Sequence, residues 1–326
     1  VKALAYEKAH PLKAFALELM DVDEPQMREN DLLIEVRAVG VNPGEAAIRQ
    51  MRSAPPGGRV ILGWEFAGVV VGTGPAAQGF SIGDRVMGTG DVMRDGCWAE
   101  RLAVDYRVVA RIPDQLSFAD AASLPVGGVT AWEALFRDQS GLPAGVENVL
   151  VVGGAGGVGS MATQLLKSRT SARVISTASR SESREWCTAM GADLVIDHTK
   201  DVAGQLRAAG VDQIDLVFSA KGTADNIGWI AGVLRPFGHV ATTDLTGATD
   251  IEPLIQKSVS LHTEMIFSRV ITGHDVHRQG QILSELLDHV RPIVTTELHG
   301  LTVDAMREAH SLAESGRTIG KTVITA

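Results

Sequence analysis

The sequence predicts an α/β chain in two parts, a small antiparallel β-barrel and a doubly wound parallel sheet. Three observations carry this. Short strand-like runs punctuated by glycine and proline fill the chain from Val1 to about Val109, which is the pattern of a small barrel. From Glu147 onward, strands alternate with helix-length segments, as in a parallel sheet wrapped by helices. Between the two halves, an apolar run meets a cluster of glycines that opens a helix.

In the first part, strands are expected at Asp31–Val39, Gly68–Gly74 and Asp84–Met87. Ser117-x-x-Asp120 reads as a capping box ahead of Ala121 and Ala122, and the passage into the second part falls near Ser123-Leu124-Pro125. The second part opens with the unbroken run Val149–Val152, which suits a strand buried on both faces. Val158, Met161, Ala162, Leu165 and Leu166 then repeat at helical spacing. Further strands are expected at Arg173–Ala178, Leu194–Ile196, Ile214–Phe218, His239–Thr242 and Ser258–Leu261. Helices follow near Gln281–Leu287 and Ala305–Ala313, and Lys321–Ile324 reads as a closing strand.

The turn between the first of these strands and its helix carries Gly154-x-Gly156-x-x-Gly159. Gly154 is read as taking a positive φ, Gly156 as letting the backbone approach a ligand, and Gly159 as allowing close packing of helix and strand. A pyrophosphate on such a helix N-terminus meets free N–H groups and roughly half a positive charge. The cradle is therefore Gly154, Ala155, Gly156, Gly157, Val158 and Gly159. At the end of the next strand, a ribose-binding carboxylate would mark NAD. Ser179 and Arg180 stand there instead, a hydroxyl and a planar cation suited to a 2′-phosphate, so the expected cofactor is NADP(H). The competing reading is a solvated serine-rich loop opening a helix.

At 326 residues the chain is long enough for two domains, and 45% hydrophobic with 21% charged residues is a globular composition rather than a disordered one. A net charge of −9 with no basic stripe argues against nucleic acid. No apolar run approaches the roughly 18 residues of a membrane span, so no membrane partner is expected and a cytoplasmic location follows by default. Cys97 and Cys187 are too few for a disulfide framework and read as packed thiols.

Gly40-Val41-Asn42-Pro43, Leu62-Gly63-Trp64-Glu65-Phe66-Ala67-Gly68, Gly83-Asp84-Arg85-Val86, Thr130-Ala131-Trp132 and Gly191-Ala192-Asp193 stand in matching order with the medium-chain dehydrogenase/reductase superfamily, which the chain resembles along essentially its whole length. Within it, the chain is most similar to the quinone oxidoreductases and the "zinc-type alcohol dehydrogenase-like" proteins. The resemblance implies a GroES-like catalytic domain (residues 1–122 and 268–326), a Rossmann NADP-binding domain (residues 123–267), an active site in the cleft between them, and a homodimer joined through the Rossmann sheet edge.

Alcohol dehydrogenases of the superfamily hold zinc with a Cys and a His where this chain has Asn42 and Trp64. Amide and indole do not bind zinc, so no metal is expected. His274-Asp275-Val276-His277 reads as a solvated helix start.

Without a Lewis acid, conjugated acceptors are favoured, because hydride addition to a quinone or enone leaves charge on a delocalised oxygen. The expectation is NADPH-dependent reduction of a small-molecule quinone or enone. By matching phrases, Asn42 and Thr130 fall at the nicotinamide end and Trp64 at the acceptor wall. His198 falls beside the adenosine phosphate, and Lys321 near the cofactor. Glu45 is read either as a proton relay or as a helix cap. Tyr6 and Tyr106 do not fall where enoyl reductases place a proton donor, so water is the expected proton source. Two rival readings remain: a zinc alcohol dehydrogenase acting on alcohols, and a nucleotide-bound structural or sensory protein without turnover.

Overall fold

In a computed structural model, residues 1–137, 141–245 and 247–326 are described. The chain divides into two compact units. One comprises Val1–Val126, Phe267–Asp288 and Pro292–Ala326, and the other Gly127–Ile266 with His289–Arg291.

The first unit opens with β1 (Lys2–Ala5), β2 (Glu18–Asp21), β3 (Asp31–Val41), α1 (Pro43–Met51), β4 (Glu65–Thr73), β5 (Arg85–Thr89), β6 (Arg101–Asp105), β7 (Val109–Arg111) and α2 (Phe118–Ala121). Chain order continues through α3 (Pro125–Phe136), β8 (Asn148–Val152), α4 (Gly157–Arg169), β9 (Arg173–Thr177), α5 (Ser181–Ala189), β10 (Leu194–Ile196), α6 (Val202–Ala208), β11 (Ile214–Ser219), α7 (Thr223–Val233), β12 (Leu234–Thr242), α8 (Glu252–Ile255) and β13 (Ser260–Thr263). Returning to the first unit, α9 (Ser268–Thr272), α10 (His277–Leu286), β14 (Val294–His299), α11 (Val303–Glu314) and β15 (Lys321–Thr325) complete it.

The main sheet of the first unit runs β14-β15-β3-β4-β5-β7, with β6 also paired to β3. Its pairs are antiparallel except β14 with β15. Leu32, Ile34, Val36 and Val39 of β3 point into a core with Phe66, Val70, Val86 and Leu102, so the long central strand is fixed by apolar burial on its neighbours. The pairing of β3 with β4 shifts register between Val36 and Ala38, and such an irregularity re-aims the side chains beyond it.

The second unit is a six-stranded sheet ordered β10-β9-β8-β11-β12-β13, parallel throughout. Counted from β8, this is the 3-2-1-4-5-6 order of a dinucleotide-binding fold, whose ligand crevice lies beyond the strand ends where the winding reverses, here between β8 and β11. Val149, Leu150 and Val151 are fully buried, as the unbroken apolar run requires.

Candidate active site

In the first unit, three strand ends bring together residues that are far apart in sequence. Antiparallel pairing sets Thr322 opposite Val41 and Val39 opposite Phe66. Lys321, Asn42 and Glu65, each one position beyond, therefore meet across β15, β3 and β4. Lys321 Nζ donates to Glu65 Oε2 at 2.7 Å and to Asn42 Oδ1 at 2.6 Å. Asn42 Nδ2 donates to the same Glu65 oxygen at 2.9 Å, and the Val126 N–H donates to Glu65 Oε1 at 2.8 Å. Glu65 is 0% exposed and Lys321 4%, so the pair is stable only because these bonds replace water. Gly40 makes room for it: a Cβ there would lie 2.4 Å from Glu65 Oε2 and 2.5 Å from the Ala122 carbonyl oxygen.

Asn42 is also the N-cap of α1, with Pro43 in its first turn, and its backbone N–H donates to Glu45 Oε2 at 2.7 Å. Glu45 is 2% exposed. Burial first, and the nearby Glu65 charge second, push its carboxyl up to about 7, with Lys321 opposing. Trp64 is buried with its ring edge-to-face against Phe267, the centroids 5.6 Å apart. Cys97 Sγ lies 3.4 Å from the Glu65 carbonyl oxygen, and burial drives that thiol far up from its ordinary value, so it is inert as a nucleophile.

In the second unit, the glycine turn corrects one expectation. The positive φ belongs to Gly153, at 76°, and not to Gly154. Gly154 is needed for space, since a Cβ there would lie 2.7 Å from Ser176 Cβ and 3.1 Å from Cys187 Sγ. Gly159 packs as expected; its Cβ would lie 2.3 Å from the Gly153 carbonyl oxygen. The turn is pinned by Thr177 at the end of β9, which accepts the Gly153 N–H at 3.0 Å through Oγ1. Gly156 is the open side: a Cβ would meet nothing nearer than Gly153 O at 3.6 Å. Such a cradle beside the first turn of α4 fits a dinucleotide pyrophosphate.

Ser179 and Arg180 follow β9, exposed and half-buried respectively, and the Arg180 backbone N–H caps α5 through Ser183 Oγ at 3.2 Å. The exposed His198 follows β10. The turn, Ser179, Arg180 and His198 thus succeed the carboxyl ends of β8, β9 and β10, the edge where such sheets bind nucleotides. Thr130 is buried in α3. His277 begins α10, with His274 and His277 both exposed.

Sequence reasoning assigned no role to Glu65, although it stands next to Trp64 in a phrase already singled out. It also passed over Ser219, Thr223, Thr242 and Asp244, a polar network at the ends of β11 and β12. There Asp244 accepts from the Gly222 N–H and from Thr223, while Thr223 Oγ1 lies 2.7 Å from Ser219 Oγ and 2.8 Å from Thr242 Oγ1.

With this geometry in place, comparison with known proteins is direct. Residues 28–114 match the alcohol dehydrogenase GroES-like domain and residues 157–287 the zinc-binding dehydrogenase family. A zinc-type alcohol dehydrogenase-like protein of Staphylococcus aureus is 34% identical, with 99% of each chain covered. The NADPH-dependent alkenal/one oxidoreductase of Arabidopsis thaliana is 30% identical over 99% of this chain and 79% of its own length. Among solved structures, a Rhizobium etli protein assigned to the zinc-dependent alcohol dehydrogenases superposes with TM-score 0.94 at 37% identity, covering 100% and 98% of the two chains. The quinone oxidoreductase of Coxiella burnetii gives 0.79 at 28% identity, covering 100% and 99%. A mycobacterial protein solved with NADPH gives 0.84 at 26% identity, again covering 100% and 99%.

The chain belongs to the medium-chain dehydrogenase/reductase superfamily, oxidoreductases that use a nicotinamide dinucleotide. Its residues do not fit the zinc implied by the family description. Asn42 and Trp64 offer an amide and an indole, which zinc does not take, and the carboxylate beside them already holds the Lys321 ammonium. No group of three or more His, Cys, Asp or Glu side chains among the described residues is arranged to hold a metal ion. No helix among those residues is long and apolar enough to cross a membrane.

Proposed function

We propose that the chain is an NADPH-dependent reductase of quinones or other activated α,β-unsaturated carbonyls, working without a metal and acting as a homodimer in the cytoplasm. The observation that carries this reading is the buried Lys321–Glu65–Asn42 cluster, which sets a tethered cation, rather than an open group of metal ligands, at the end of β3.

Gly154, Ala155, Gly156, Gly157, Val158 and Gly159 hold the cofactor's pyrophosphate, with Ser179 and Arg180 on the 2′-phosphate and His198 beside the adenosine. When bound, the nicotinamide supplies a hydride. Asn42 and Thr130 orient the ring and the acceptor, and Trp64, edge-to-face on Phe267, forms an apolar wall for a conjugated ring or alkene. Lys321 spends two of its three N–H donors on Asn42 and Glu65, which leaves one N–H, at the positive end of a fixed ion pair, for the acceptor oxygen. A preorganised charge in a buried site stabilises a developing oxyanion without reorganising. That suffices for a delocalised enolate or quinol anion. A simple ketone leaves its charge on one oxygen and relies more heavily on a Lewis acid. The alkenal/one and quinone oxidoreductase names of two relatives agree with this preference.

The test is NADPH absorbance against quinones, enones, aldehydes and alcohols, with and without a chelator. Turnover confined to quinones and enones, indifferent to the chelator, supports the proposal. Chelator-sensitive alcohol oxidation contradicts it in favour of a zinc alcohol dehydrogenase, and tight NADPH binding without turnover contradicts it in favour of a structural or sensory role.

A further inference from the structure

Two carboxyls and one ammonium are buried together at the end of β3, and they are not equivalent. Glu65 receives three short bonds, from Lys321 at 2.7 Å, Asn42 Nδ2 at 2.9 Å and the Val126 N–H at 2.8 Å. Glu45 receives one, from the Asn42 N–H at 2.7 Å on Oε2. Its other oxygen, Oε1, has Asn42 Nδ2 and the Trp64 N–H no nearer than 3.5 Å, the outer limit of a hydrogen bond.

One cation cannot neutralise two buried anions, and an unpaired buried carboxylate takes up a proton instead. The bonds decide which one does. We infer that Glu45 is the acid of this site, holding a proton on Oε1 in mildly acidic to neutral solution while Glu65 is held by Lys321, and that Glu45 supplies the proton when the acceptor is reduced. This rests on the reductase reading above and replaces water as the immediate proton source.

The groups facing Glu45 are Glu65 on β4, Lys321 on β15 and the Cys97 thiol. Burial and the Glu65 charge raise Glu45 to about 7, and Lys321 only partly offsets them. Cys97 is neutral, its thiol driven up by its own burial. In the proton step, the O–H bond on Glu45 Oε1 breaks and an O–H bond forms on the reduced acceptor, whose electron pair came with the cofactor's hydride. An enolate or quinol anion is a stronger base than a carboxylate of pKa about 7, so the transfer runs downhill. The Glu45 carboxylate is then reprotonated from solvent.

Infrared titration of the full chain without nucleotide tests the stored proton. Between about pH 5.5 and 7, where ordinary carboxyls are ionised, a protonated-carboxyl band is expected that vanishes above about pH 7 and is missing in Glu45→Gln, which keeps an oxygen for the Asn42 N–H. If the wild type shows no such band, or the band survives in Glu45→Gln, the inference is overturned. Should Glu45→Gln not fold, Glu45→Asp is expected to shift the titration midpoint, and an unmoved midpoint overturns the assignment equally.

Delivery is read from the pH profile of NADPH oxidation by a quinone. The wild-type rate should fall above about pH 7, and Glu45→Gln should be at least tenfold slower and flat across that range. A wild-type profile preserved in Glu45→Gln overturns delivery. Because the infrared measurement needs no acceptor, failure of the reductase reading in the substrate panel is distinguishable from failure of the stored proton.

Discussion

Lys321 and Glu65 are 256 positions apart in sequence, yet their charged atoms lie 2.7 Å apart in the interior of the first unit. Removing one partner of such a pair leaves a buried charge unmatched, which typically costs about 3–5 kcal/mol. Lys321→Met should therefore lower unfolding stability by roughly that amount. Lys321→Met with Glu65→Gln should recover much of it. Denaturant titration of both variants checks this, and a double variant no more stable than the single one would contradict it.

The glycine turn yields a paired prediction. Gly159→Ala drives its Cβ into the Gly153 carbonyl at 2.3 Å and should lower thermal stability together with nucleotide affinity. Gly156→Ala has nothing nearer than 3.6 Å, so it should fold with an unchanged Tm yet lose NADPH binding, because the methyl occupies the space the pyrophosphate needs. Thermal melts with and without NADPH separate the two variants.

Arg180 is expected to read the 2′-phosphate. A charge-assisted bond contributes about 1.5–3 kcal/mol, so Arg180→Ala should weaken NADPH binding by roughly ten- to hundredfold while sparing NADH. Equal losses for both nucleotides in fluorescence titration would remove the assignment.

Arg49, fully buried between α1 and α11, donates to His310 Nδ1 at 2.8 Å, to Glu314 Oε1 at 2.6 Å and to the His10 carbonyl at 3.1 Å. A guanidinium only donates, so His310 is neutral with its proton on Nε2. Burial, then the charge of Arg49, depress the imidazole from 6.5 to about 3. The unfolded chain binds this proton first. The stabilisation is therefore intact above pH 6.5 and lost as pH falls toward 3, by at most about 1.4 kcal/mol per pH unit. Denaturant titrations of the wild type and His310→Phe across that window check this; the variant should lose less stability on acidification.

The sequence carried the local features well. The apolar run of β8, the Ser117–Asp120 cap and the closing strand, read as Lys321–Ile324 and observed as Lys321–Thr325, follow from periodicity and capping chemistry to within a residue or two. What was not legible depends on register between distant strands. Nothing local to Lys321 reveals that β15 pairs with β3 and sets its ammonium on Asn42 and Glu65. Glu45 shows only as the third residue after a helix cap, and its burial is set by β4 and β15. The positive φ at Gly153 rather than Gly154 was hidden for another reason: in a run of adjacent glycines, residue type alone does not say which one the turn bends through.

In the proposed reductase, Lys321 takes the place of a metal. The most direct test of this is the zinc content of extensively dialysed protein, measured on the same sample whose NADPH oxidation by quinones and enones is recorded. Full activity with far less than one zinc per chain is the expected result. About one tightly held zinc per chain, with activity lost on its removal and restored on its return, would contradict the account.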